Sequence, residues 1–565
     1  MRNVRVRQTW LAVLVILTLL ATSMASVADA ATNDFRIDPA LLAQAKSNPT
    51  KNFSVIVQAA STKNKADHRA LAAANAIKRA KGTIGHGLSI VGGASAVLSG
   101  ANLIALTRDP DVSYITADHI LKGSFDPVTG ATNVTAPGVI EVNAPAAWKL
   151  GVTGRGIGVA VVDSGVANHS DLAGRIVASV DFTSGAPGAA IVSPADPGGH
   201  GTHVAGIVAG DGTASGGAYT GIAPGANIID VRVIGATGAT NSSTVLRGLQ
   251  WVLANRNTYN IRVVNLSLGA PVQVSYKQDP LAAAVEVLTF AKITIVAAAG
   301  NAGPGDSTIA TPGYDPYVIT VGAIDDAGTT ATLDDLLTGW SSRGPTKFDG
   351  LAKPDISAPG RKLISLRSEA STLDQLYSDR RVPGKDPTKP AAYFRLSGTS
   401  MATPVVAGTV ALMLERTPTL TPAQIKRRLK TTATPLSYGA PNVTGAGMVN
   451  VLAAVSASDI GAEAANARVS NSFANNVLAH LVGQRLVWRD LSYHGGVDSR
   501  GTAWTDVTWS NIVWDEITWE DIAWEAFTWT DIAWEGIAWE DIAWETTTLS
   551  VGTLSSSGAG WSPVD

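Results

Sequence analysis

Short blocks of apolar residues alternate with polar, glycine-containing turns from Asn52 to Ile120. Brief apolar runs bounded by turn residues indicate strands, and longer stretches rich in alanine, lysine and arginine indicate helices. The pattern predicts strands over residues 53–57, 88–91, 94–98 and 112–115, a helix over 66–80, and a short helix from its cap Asn102 to Thr107. A small α+β unit is therefore expected here.

Apolar strand-like runs alternate with longer helical segments from about residue 135 to residue 457. This alternation predicts a parallel sheet joined by crossover helices, which is the arrangement of an α/β domain. Residues 458–487 lack strong turn signals and are predicted to be a partly helical connector.

A tryptophan recurs every five residues from Trp504 to Trp544, inside a repeat region that spans residues 488–548. A five-residue step turns a helix by about 140°, so the tryptophans would not share a helix face. On a strand, an odd step places successive tryptophans on opposite faces. The apolar residue three positions after each of the first eight tryptophans alternates in the same way, so each face carries both tryptophans and apolar residues. The repeat is therefore predicted to be β-rich, and residues 549–565 a flexible tail.

The first thirty residues have the pattern of an export signal. Basic residues precede an apolar run from Trp10 to about Leu20, and Ala28-Asp29-Ala30 follows as a cleavage site. An uncleaved membrane anchor is the alternative, but the run is shorter than the roughly 20 residues that span a bilayer. We expect residues 1–30 to be removed, leaving a secreted, extracellular protein without a transmembrane segment.

Composition narrows the possible functions. The chain's 565 residues allow about three to four folded units, and 45% of them are hydrophobic, which can supply the cores of those units. Its net charge is −3 and 16% of its residues are charged, so no basic surface for nucleic acid is expected. The sequence contains no cysteine, which excludes disulfides, thiol catalysis and cysteine-ligated metals. Stability must come from the apolar core, with bound calcium as an open alternative.

Three motifs between residues 135 and 457 carry candidate chemistry. Asp163 follows the apolar run Val159–Val162, at the carboxyl end of a buried strand, where open α/β sheets place their sites. His200 stands among glycines at a predicted strand-to-helix turn. Ser400 must lie near the start of a helix, because Pro404 is tolerated only there, and a positive helix end stabilises a developing oxyanion.

Each motif alone has a simpler interpretation. Asp163 could be a turn residue, Ser400 a helix cap, and His200 with His203 a metal-binding pair, although no further His or Cys lies near them. Together they supply what nucleophilic catalysis needs, since a serine hydroxyl requires a histidine base and the histidine an orienting carboxylate. Their order along the chain is also that of subtilisin.

The motifs that contain these three residues, D-S-G, H-G-T-H-V-A-G and G-T-S-M-A-T-P, closely resemble those of the subtilisin-like serine peptidases, the subtilases. The resemblance covers roughly residues 135–457. The resemblance implies a subtilisin-like three-layer α/β fold with a mostly parallel central sheet. It also implies that Ser400 attacks the scissile carbonyl of a protein or peptide, His200 transfers the proton, and Asp163 orients the imidazole. No cofactor is required for this chemistry.

The resemblance extends to the substrate groove. Asn301 matches the family's oxyanion donor, with the Ser400 N–H as the second donor. Residues 265–269 resemble the edge strand that pairs with an extended substrate. The resemblance implies that the primary pocket has walls made of Ser267, Leu268 and Gly269 and of Ala298, Ala299 and Gly300, with Ala310 and Thr311-Pro312-Gly313 at its base. None of these pocket segments contains a charged residue, which favours a neutral or aromatic substrate residue on the amino side of the cleaved bond.

The chain departs from the family pattern in two places. Asp171 matches a position that often ligates calcium in the family, but the neighbouring pattern is one residue shorter, so structural calcium remains an open expectation. The interval between Asn301 and Ser400 is also long. Its polar stretch from Arg367 to Ala391 is predicted to be an inserted surface loop that either touches substrate or is simply solvated.

The segment before the catalytic region resembles the family's inhibitory propeptide, a ferredoxin-like α+β fold that would inhibit its own protease. The expected organisation is a signal peptide (1–30), a propeptide (31–130), a catalytic domain (131–457), a linker (458–487), the repeat (488–548) and the tail (549–565). Self-cleavage of a zymogen is expected between about His119 and Ile140.

The partner of the repeat is left open. Residues 501–545 contain eleven acidic and no basic side chains, which would suit cell-wall glycan, a basic peptide or other protein, calcium, or association of the repeat with itself. The simplest interpretation is that the tryptophans pack the repeat's own core. A competing hypothesis for the whole chain is a surface-associated scaffold that uses the repeat, with the peptidase domain serving only maturation.

Overall fold

The computed structural model describes residues 36–60, 66–123, 137–184, 190–330, 332–459, 461–463 and 469–470, together with the backbone of short strands between residues 486 and 563. Their contacts divide the chain into two compact units, with the boundary between Asp118 and His119. The predicted signal peptide, most of the predicted linker and residues 515–548 of the repeat lie outside the described residues.

The first unit is a four-stranded antiparallel sheet with helices, in agreement with the small α+β unit that the apolar pattern predicts. Its elements are α1 (Pro39–Ser47), β1 (Asn52–Ala59), α2 (Ala66–Arg79), β2 (Thr83–Leu88), β3 (Gly93–Ser99), α3 (Gly100–Leu106) and β4 (Val112–Ala117). The strand order is β2-β3-β1-β4, with one helix between β1 and β2 and another between β3 and β4. This is the expected ferredoxin-like arrangement.

Three local features of this unit differ from the predictions. Residues 89–91 form a 3₁₀ turn, and the strand lies before them. The short helix α3 is capped by Ser99, whose hydroxyl accepts the N–H of Asn102, so the predicted cap lies inside the helix. Helix α1 was not predicted, although Asp38 accepts two of its N–H groups and Pro39 begins it. Serine, asparagine and aspartate are near-equal caps, so the sequence pattern could not choose between them.

The second unit is built on a nine-stranded sheet in the described part of the chain. The strands of this unit up to residue 396 are β5 (Ile120–Gly123), β6 (Gly158–Asp163), β7 (Ile176–Asp181), β8 (Ala190–Ile191), β9 (Asn227–Arg232), β10 (Ala239–Asn241), β11 (Ile261–Leu266), β12 (Leu268–Gly269), β13 (Thr294–Ala298), β14 (Ile319–Asp325), β15 (Leu336–Leu337), β16 (Ile356–Pro359), β17 (Leu363–Leu366), β18 (Arg381–Val382) and β19 (Tyr393–Leu396). The helices are α4 (Pro137–Glu141), α5 (Ala144–Trp148), α6 (His200–Ala209), α7 (Ser242–Asn255), α8 (Pro280–Phe290), α9 (Thr372–Leu376), α10 (Thr399–Arg416), α11 (Pro422–Thr431) and α12 (Val451–Ser456).

The central sheet is mostly parallel. Its order is β15-β14-β13-β11-β6-β9-β7-β8, and β16 also pairs with β14. Only the pairs β14–β15 and β7–β8 are antiparallel. The predicted parallel sheet with crossover helices is confirmed, and its strands are buried over most of their length because helices cover both faces.

Alternate residues of β6 show the two helical layers. Val161 belongs to one apolar core with Val204 of α6 and Val405 of α10. The next residue, Val162, points to the opposite face, where it lies 3.8 Å from the position that a Cβ on Gly248 of α7 would take. Successive side chains of a strand face opposite sides, so the unit has three layers, helix on sheet on helix.

The C-terminal region contains short strands. They are β20 (Leu486–Arg489), β21 (Leu491–Tyr493), β22 (Gly496–Val497), β23 (Ala503–Trp504), β24 (Val507–Trp509), β25 (Ile512–Trp514) and β26 (Gly560–Pro563). Trp504, Trp509 and Trp514, the first three tryptophans of the repeat, each end a strand. That the whole repeat is β-rich stays a prediction. Strand β26 lies inside the predicted flexible tail, where it pairs with β20. None of the helices in the described part of the chain is long and apolar enough to span a bilayer.

Candidate active site

The carboxyl end of β6 brings the predicted aspartate and histidine together. Asp163 is the last residue of β6, and its Oδ1 accepts hydrogen bonds from Nδ1 of His200 and from the N–H of Ser164, both at 2.7 Å. His200 begins α6 directly after Gly199, whose φ of 94° favours glycine. Because a carboxylate only accepts, Nδ1 carries the proton and Nε2 is the nitrogen that can take one up.

The surroundings of His200 favour its protonated form. Burial alone would lower its pKa, but the charge of Asp163 and the hydrogen bond to it outweigh burial, and the pKa is raised above its ordinary value. The carboxylate of Asp196 adds a smaller contribution in the same direction. Asp163 is therefore already in position to stabilise the positive charge that His200 acquires when it takes up a proton.

The predicted nucleophile lies at the start of α10. Ser400 is the second residue of that helix, which begins at Thr399 as expected and continues past Met413 to Arg416. Its Oγ donates a hydrogen bond of 2.8 Å to the carbonyl of Ser267, and the Oγ of Ser267 donates one of 2.9 Å to the carbonyl of Ser400. Pro404 lies four residues further on and has no N–H to offer that carbonyl, so Ser267 takes its place.

Asn301 is held with its amide nitrogen open. It follows β13, and its Oδ1 accepts the N–H and the hydroxyl of Thr399, at 3.0 and 2.9 Å. These two donors fix the orientation of the amide. Its Nδ2 is buried and has no hydrogen-bond partner among the described residues. A buried, oriented and unpaired donor is what an oxyanion site requires.

The two predicted walls of the primary pocket meet at Ala310. A Cβ on Gly269 or on Gly300 would each lie 3.0 Å from the Cβ of Ala310. The N–H of Ala310 donates to the carbonyl of Ala299, and Thr311 pairs with Ala270 by two backbone hydrogen bonds. The structure therefore places residues 267–269, 298–300 and 310–311 together, with no charged side chain among them.

A segment of the chain itself lies on the predicted substrate strand. Strand β5 pairs antiparallel with β12, with Lys122 opposite Gly269 and Gly123 opposite Leu268. Its other edge pairs with β10. A Cβ on Gly123 would lie 3.5 Å from the imidazole ring of His200. An extended peptide thus fits between β10 and β12 and ends beside the histidine.

The metal-binding alternative for the two histidines is not supported. Nε2 of His203 lies 3.1 and 3.0 Å from the carbonyls of Leu363 and Phe394, so it must donate to them as N–H. Burial lowers the pKa of His203 to about 3, which keeps it neutral. The described residues contain no group of three or more His, Asp or Glu side chains arranged to hold a metal ion.

The surroundings of Asp171 do not fit a calcium ion. Its Oδ1 accepts the N–H of Ala214 (2.8 Å) and the hydroxyl of Ser170 (3.2 Å), and its Oδ2 accepts the hydroxyl of Tyr393 (2.6 Å). Both carboxylate oxygens are taken up by hydrogen-bond donors, and no second carboxylate of the described residues joins Asp171 in a group that could hold an ion. Asp171 instead ties its loop to β19 through Tyr393. Structural calcium elsewhere in the chain stays a prediction.

Two residues near the site were not predicted to act there. Thr399 orients Asn301 and also accepts the N–H of Gly300 at 3.2 Å. Asp196, four residues before His200, accepts hydrogen bonds from Ser164 Oγ, from the N–H of Gly199, and from the N–H and hydroxyl of Thr202, all between 2.7 and 2.8 Å. The only sequence signal for either residue was its place beside a catalytic motif.

Comparison with known proteins agrees with this geometry. The sequence pattern of the subtilase family matches residues 154–472, more than half of the chain. The chain belongs to the subtilase family. Over 304 residues it is 43% identical to the serine protease AprX of Bacillus subtilis (strain 168), a match that covers 53% of this chain and 66% of that protein.

Other relatives extend the comparison. Over 360 residues the chain is 35% identical to an alkaline protease of Shouchella clausii, covering 64% of this chain and 78% of the relative. A solved structure, that of fervidolysin from Fervidobacterium pennivorans, superposes with a TM-score of 0.54 at 21% identity, over 81% of this chain and 68% of that one. The fold is therefore subtilisin-like, and this subtilase is a serine endopeptidase by class.

Proposed function

We propose that this subtilase is an exported, self-processing endopeptidase that hydrolyses peptide bonds with Ser400, His200 and Asp163, and that Asn301 binds the oxyanion. The observation that supports the proposal most strongly is the extended pairing of β5 with β12, which brings Gly123 against the ring of His200. A polypeptide in this position has its backbone held by an edge strand, with its next residues directed at the nucleophile.

The chemistry follows from the hydrogen bonds. Nε2 of His200 takes the hydroxyl proton as Oγ of Ser400 bonds to the carbonyl carbon. The carbonyl oxygen becomes an anion and accepts from Asn301 Nδ2 and from the Ser400 N–H. The C–N bond breaks as His200 passes the proton to the leaving amine. Water, deprotonated by His200, then attacks the acyl-enzyme, and Ser400 regains its proton as the carboxylic acid leaves.

Substrate binding itself would prepare the nucleophile. The hydroxyl of Ser400 is directed at the Ser267 carbonyl and must turn toward His200 before it can react. A substrate residue opposite Ser267 would bring a backbone N–H to that carbonyl. We infer that this N–H replaces the hydroxyl as donor, which releases Ser400 to His200.

The register of β5 indicates which bond is processed. From Lys122 to Gly123 the partner changes from Gly269 to Leu268. We propose that this register continues by one step, so that Ser124, which lies outside the described residues, would pair with Ser267 during processing. The carbonyl presented to the nucleophile would be that of Ser124, so we propose cleavage of the Ser124–Phe125 bond, within the interval His119 to Ile140.

This proposal is tested by expressing the precursor and its Ser400→Ala variant and determining the new N-terminus by mass spectrometry. We expect the wild-type chain to yield a product that begins at Phe125, and the variant to remain joined. A product that begins at Ser124 would show that the register is one residue off. Processing of the variant by itself would contradict the assignment of Ser400.

We further propose that residues 1–30 direct export, that the cleaved propeptide remains an inhibitor because residues 120–123 occupy the groove, and that the tryptophan repeat serves a separate binding role. Glycan, protein and self-association remain the candidate partners of the repeat. Deleting residues 488–565 should leave peptide hydrolysis unchanged while abolishing retention on cell-wall material or self-association. A loss of hydrolysis in the deleted chain would contradict a separate role.

A further inference from the structure

The polar insertion between β17 and β19 packs on the loop that leads to His200. Ser368 Oγ donates to the carbonyl of Asp196 at 2.8 Å. The N–H groups of Thr372 and Leu373 donate to the carbonyls of the next two loop residues, at 2.9 and 3.1 Å. Three successive carbonyls, those of residues 196–198, are thus held by the insertion.

Gly199, the fourth residue of that loop, packs closely against the insertion. A Cβ on Gly199 would lie 2.3 Å from Oγ of Ser371 and 3.4 Å from Cβ of Leu373. Ser371 caps α9, whose first residues supply the two N–H donors. Only glycine allows the insertion and the loop to approach this closely, and His200 is the next residue.

The opposite side of the loop is held by the side chain of Asp196. Its carboxylate accepts from Ser164 Oγ, from the Gly199 N–H and from Thr202. Ser164 in turn donates its own N–H to Asp163. The loop is therefore bound between the aspartate strand and the insertion, so its position sets the distance from His200 to Asp163.

The insertion keeps its shape through one buried carboxylate. Asp374 accepts Nε and Nη2 of Arg367 at 2.6 and 2.7 Å, and Nε and Nη2 of Arg381 at 2.7 and 3.1 Å. The N–H of Ala370 donates to it as well, at 3.0 Å. Burial alone would raise the pKa of Asp374, but these hydrogen bonds lower it to about 2.

We propose that residues 367–381 form a positioning clamp for the catalytic histidine, with Asp374 as its anchor and Ser368 as its contact to the loop. The prediction that this stretch is a surface loop that touches substrate or solvent is thereby replaced by a role toward the enzyme's own backbone. The inference rests on the proposed role of His200. Loosening the clamp lets the loop move, and a displacement near 1 Å costs roughly 10²-fold in rate.

The test compares Asp374→Asn with Asp386→Asn. Asp386 lies on the same insertion, but within the described residues its carboxylate accepts hydrogen bonds from Thr388 alone, besides a long ion pair to Lys389 at 4.0 Å. Both substitutions remove one negative charge. Turnover is measured per active site after titration with a phosphonate, so that a smaller folded fraction does not lower the value.

For Asp374→Asn we expect kcat per titrated site to fall by roughly ten- to a hundred-fold with KM little changed, and the acid limb of the pH profile to move to lower pH as the bond to Asp163 weakens. Asp386→Asn should match the wild type. Unchanged kcat and an unchanged acid limb in Asp374→Asn would overturn the clamp.

If Asp374→Asn does not fold, Ser368→Ala removes a single hydrogen bond to the loop and leaves the arginine pairs intact. It should show a smaller fall in kcat of the same kind, and no fall would overturn the clamp. His200→Ala separates the two proposals. If that variant stays active, the role of His200 fails, whereas an inactive His200→Ala beside a fully active Asp374→Asn refutes only the clamp.

Discussion

The hydroxyl of Ser267 donates to the carbonyl oxygen of Ser400, the atom that Pro404 leaves without a helical N–H. The hydroxyl of Ser400 donates in return to the carbonyl of Ser267. These two residues are 133 positions apart in the chain. The interruption of helical hydrogen bonding by Pro404 and the predicted substrate-binding segment at Ser267 are therefore coupled at Ser400, and this coupling can be measured.

Replacing Ser267 by alanine should leave the Ser400 carbonyl buried without a donor. We expect a loss of about 1–3 kcal/mol in the free energy of unfolding. Pro404→Ala restores an N–H that can take over that carbonyl, so it should cost less in the Ser267→Ala background than in the parent chain. Calorimetry in a Ser400→Ala background avoids self-digestion, and equal costs in both backgrounds would contradict the coupling.

Removing the amide of Asn301 should affect the rate and not binding. Asn301→Ala is expected to lower kcat by about 10²–10³-fold with little change in KM, the magnitude known for such a donor in subtilisin itself. Asn301→Asp keeps an acceptor for Thr399 but presents an oxygen to the anion, so its loss should be at least as large. Thr399→Ser, which keeps the hydroxyl, is the control. Steady-state kinetics showing less than a tenfold loss would exclude Asn301 as the donor.

The acid limb of the pH–rate profile should lie above pH 6.5. His200 acts as a base only when neutral, and Asp163 raises its pKa, so activity is gained as pH rises through that raised value. The ion pair contributes to stability in the opposite sense, fully below pH 6.5 and lost as His200 deprotonates. Asp163→Asn should move the limb to lower pH and reduce kcat by about 10⁴-fold. A limb that stays in place in Asp163→Asn would refute the assignment.

The buried His203 should make the fold sensitive to acid. Its pKa is lowered to about 3 by burial, whereas in the unfolded chain it takes up a proton near pH 6.5. Stability is therefore lost as pH falls below 6.5. In His203→Gln, whose amide can donate to the same carbonyls, the loss between pH 7 and pH 4.5 should be smaller by about 2–3 kcal/mol. Denaturation curves with the same pH dependence in both chains would contradict this.

Residues beyond the predicted end of the catalytic domain should contribute to its stability. The N–H and hydroxyl of Ser470 donate to the fully buried carboxylate of Glu286, at 2.9 and 2.7 Å. A chain that ends after residue 457 leaves that carboxylate without these donors, whereas one that ends after residue 487 keeps them. We expect the shorter chain to lose at least about 1–3 kcal/mol, and Ser470→Ala in the longer chain to lose part of that. Equal melting temperatures of the two truncated chains would show that the domain ends at 457.

The sequence was informative where function depends on short local motifs. Asp163, His200, Ser400 and Asn301 each stand in a short motif near the end of an apolar strand or the start of a helix, and the resemblance of these motifs to the subtilases was enough to propose their roles without coordinates. The small α+β unit and the parallel sheet followed from apolar periodicity, whereas the ferredoxin-like arrangement was expected from the resemblance to the family's propeptide.

Contacts between distant segments could not be predicted. Ser368 and Asp196 are 172 positions apart, and the polarity of residues 367–391 is equally typical of a solvated loop. Asp171 matched a calcium-ligand position in sequence, but Tyr393, 222 positions away, occupies its carboxylate. Which partner a polar side chain finds depends on how the whole chain folds, and no local pattern records that.

The most direct measurement is the site at which a fluorophosphonate probe reacts. After labelling of the processed protein and digestion with a second protease, mass spectrometry should find the phosphonyl group on Ser400 alone. The exposed Ser437→Ala variant, outside the site and the clamp, should label normally, and Ser400→Ala should not label. An unlabelled wild-type protein, or a label on a different residue, would contradict the account of Ser400 as the nucleophile.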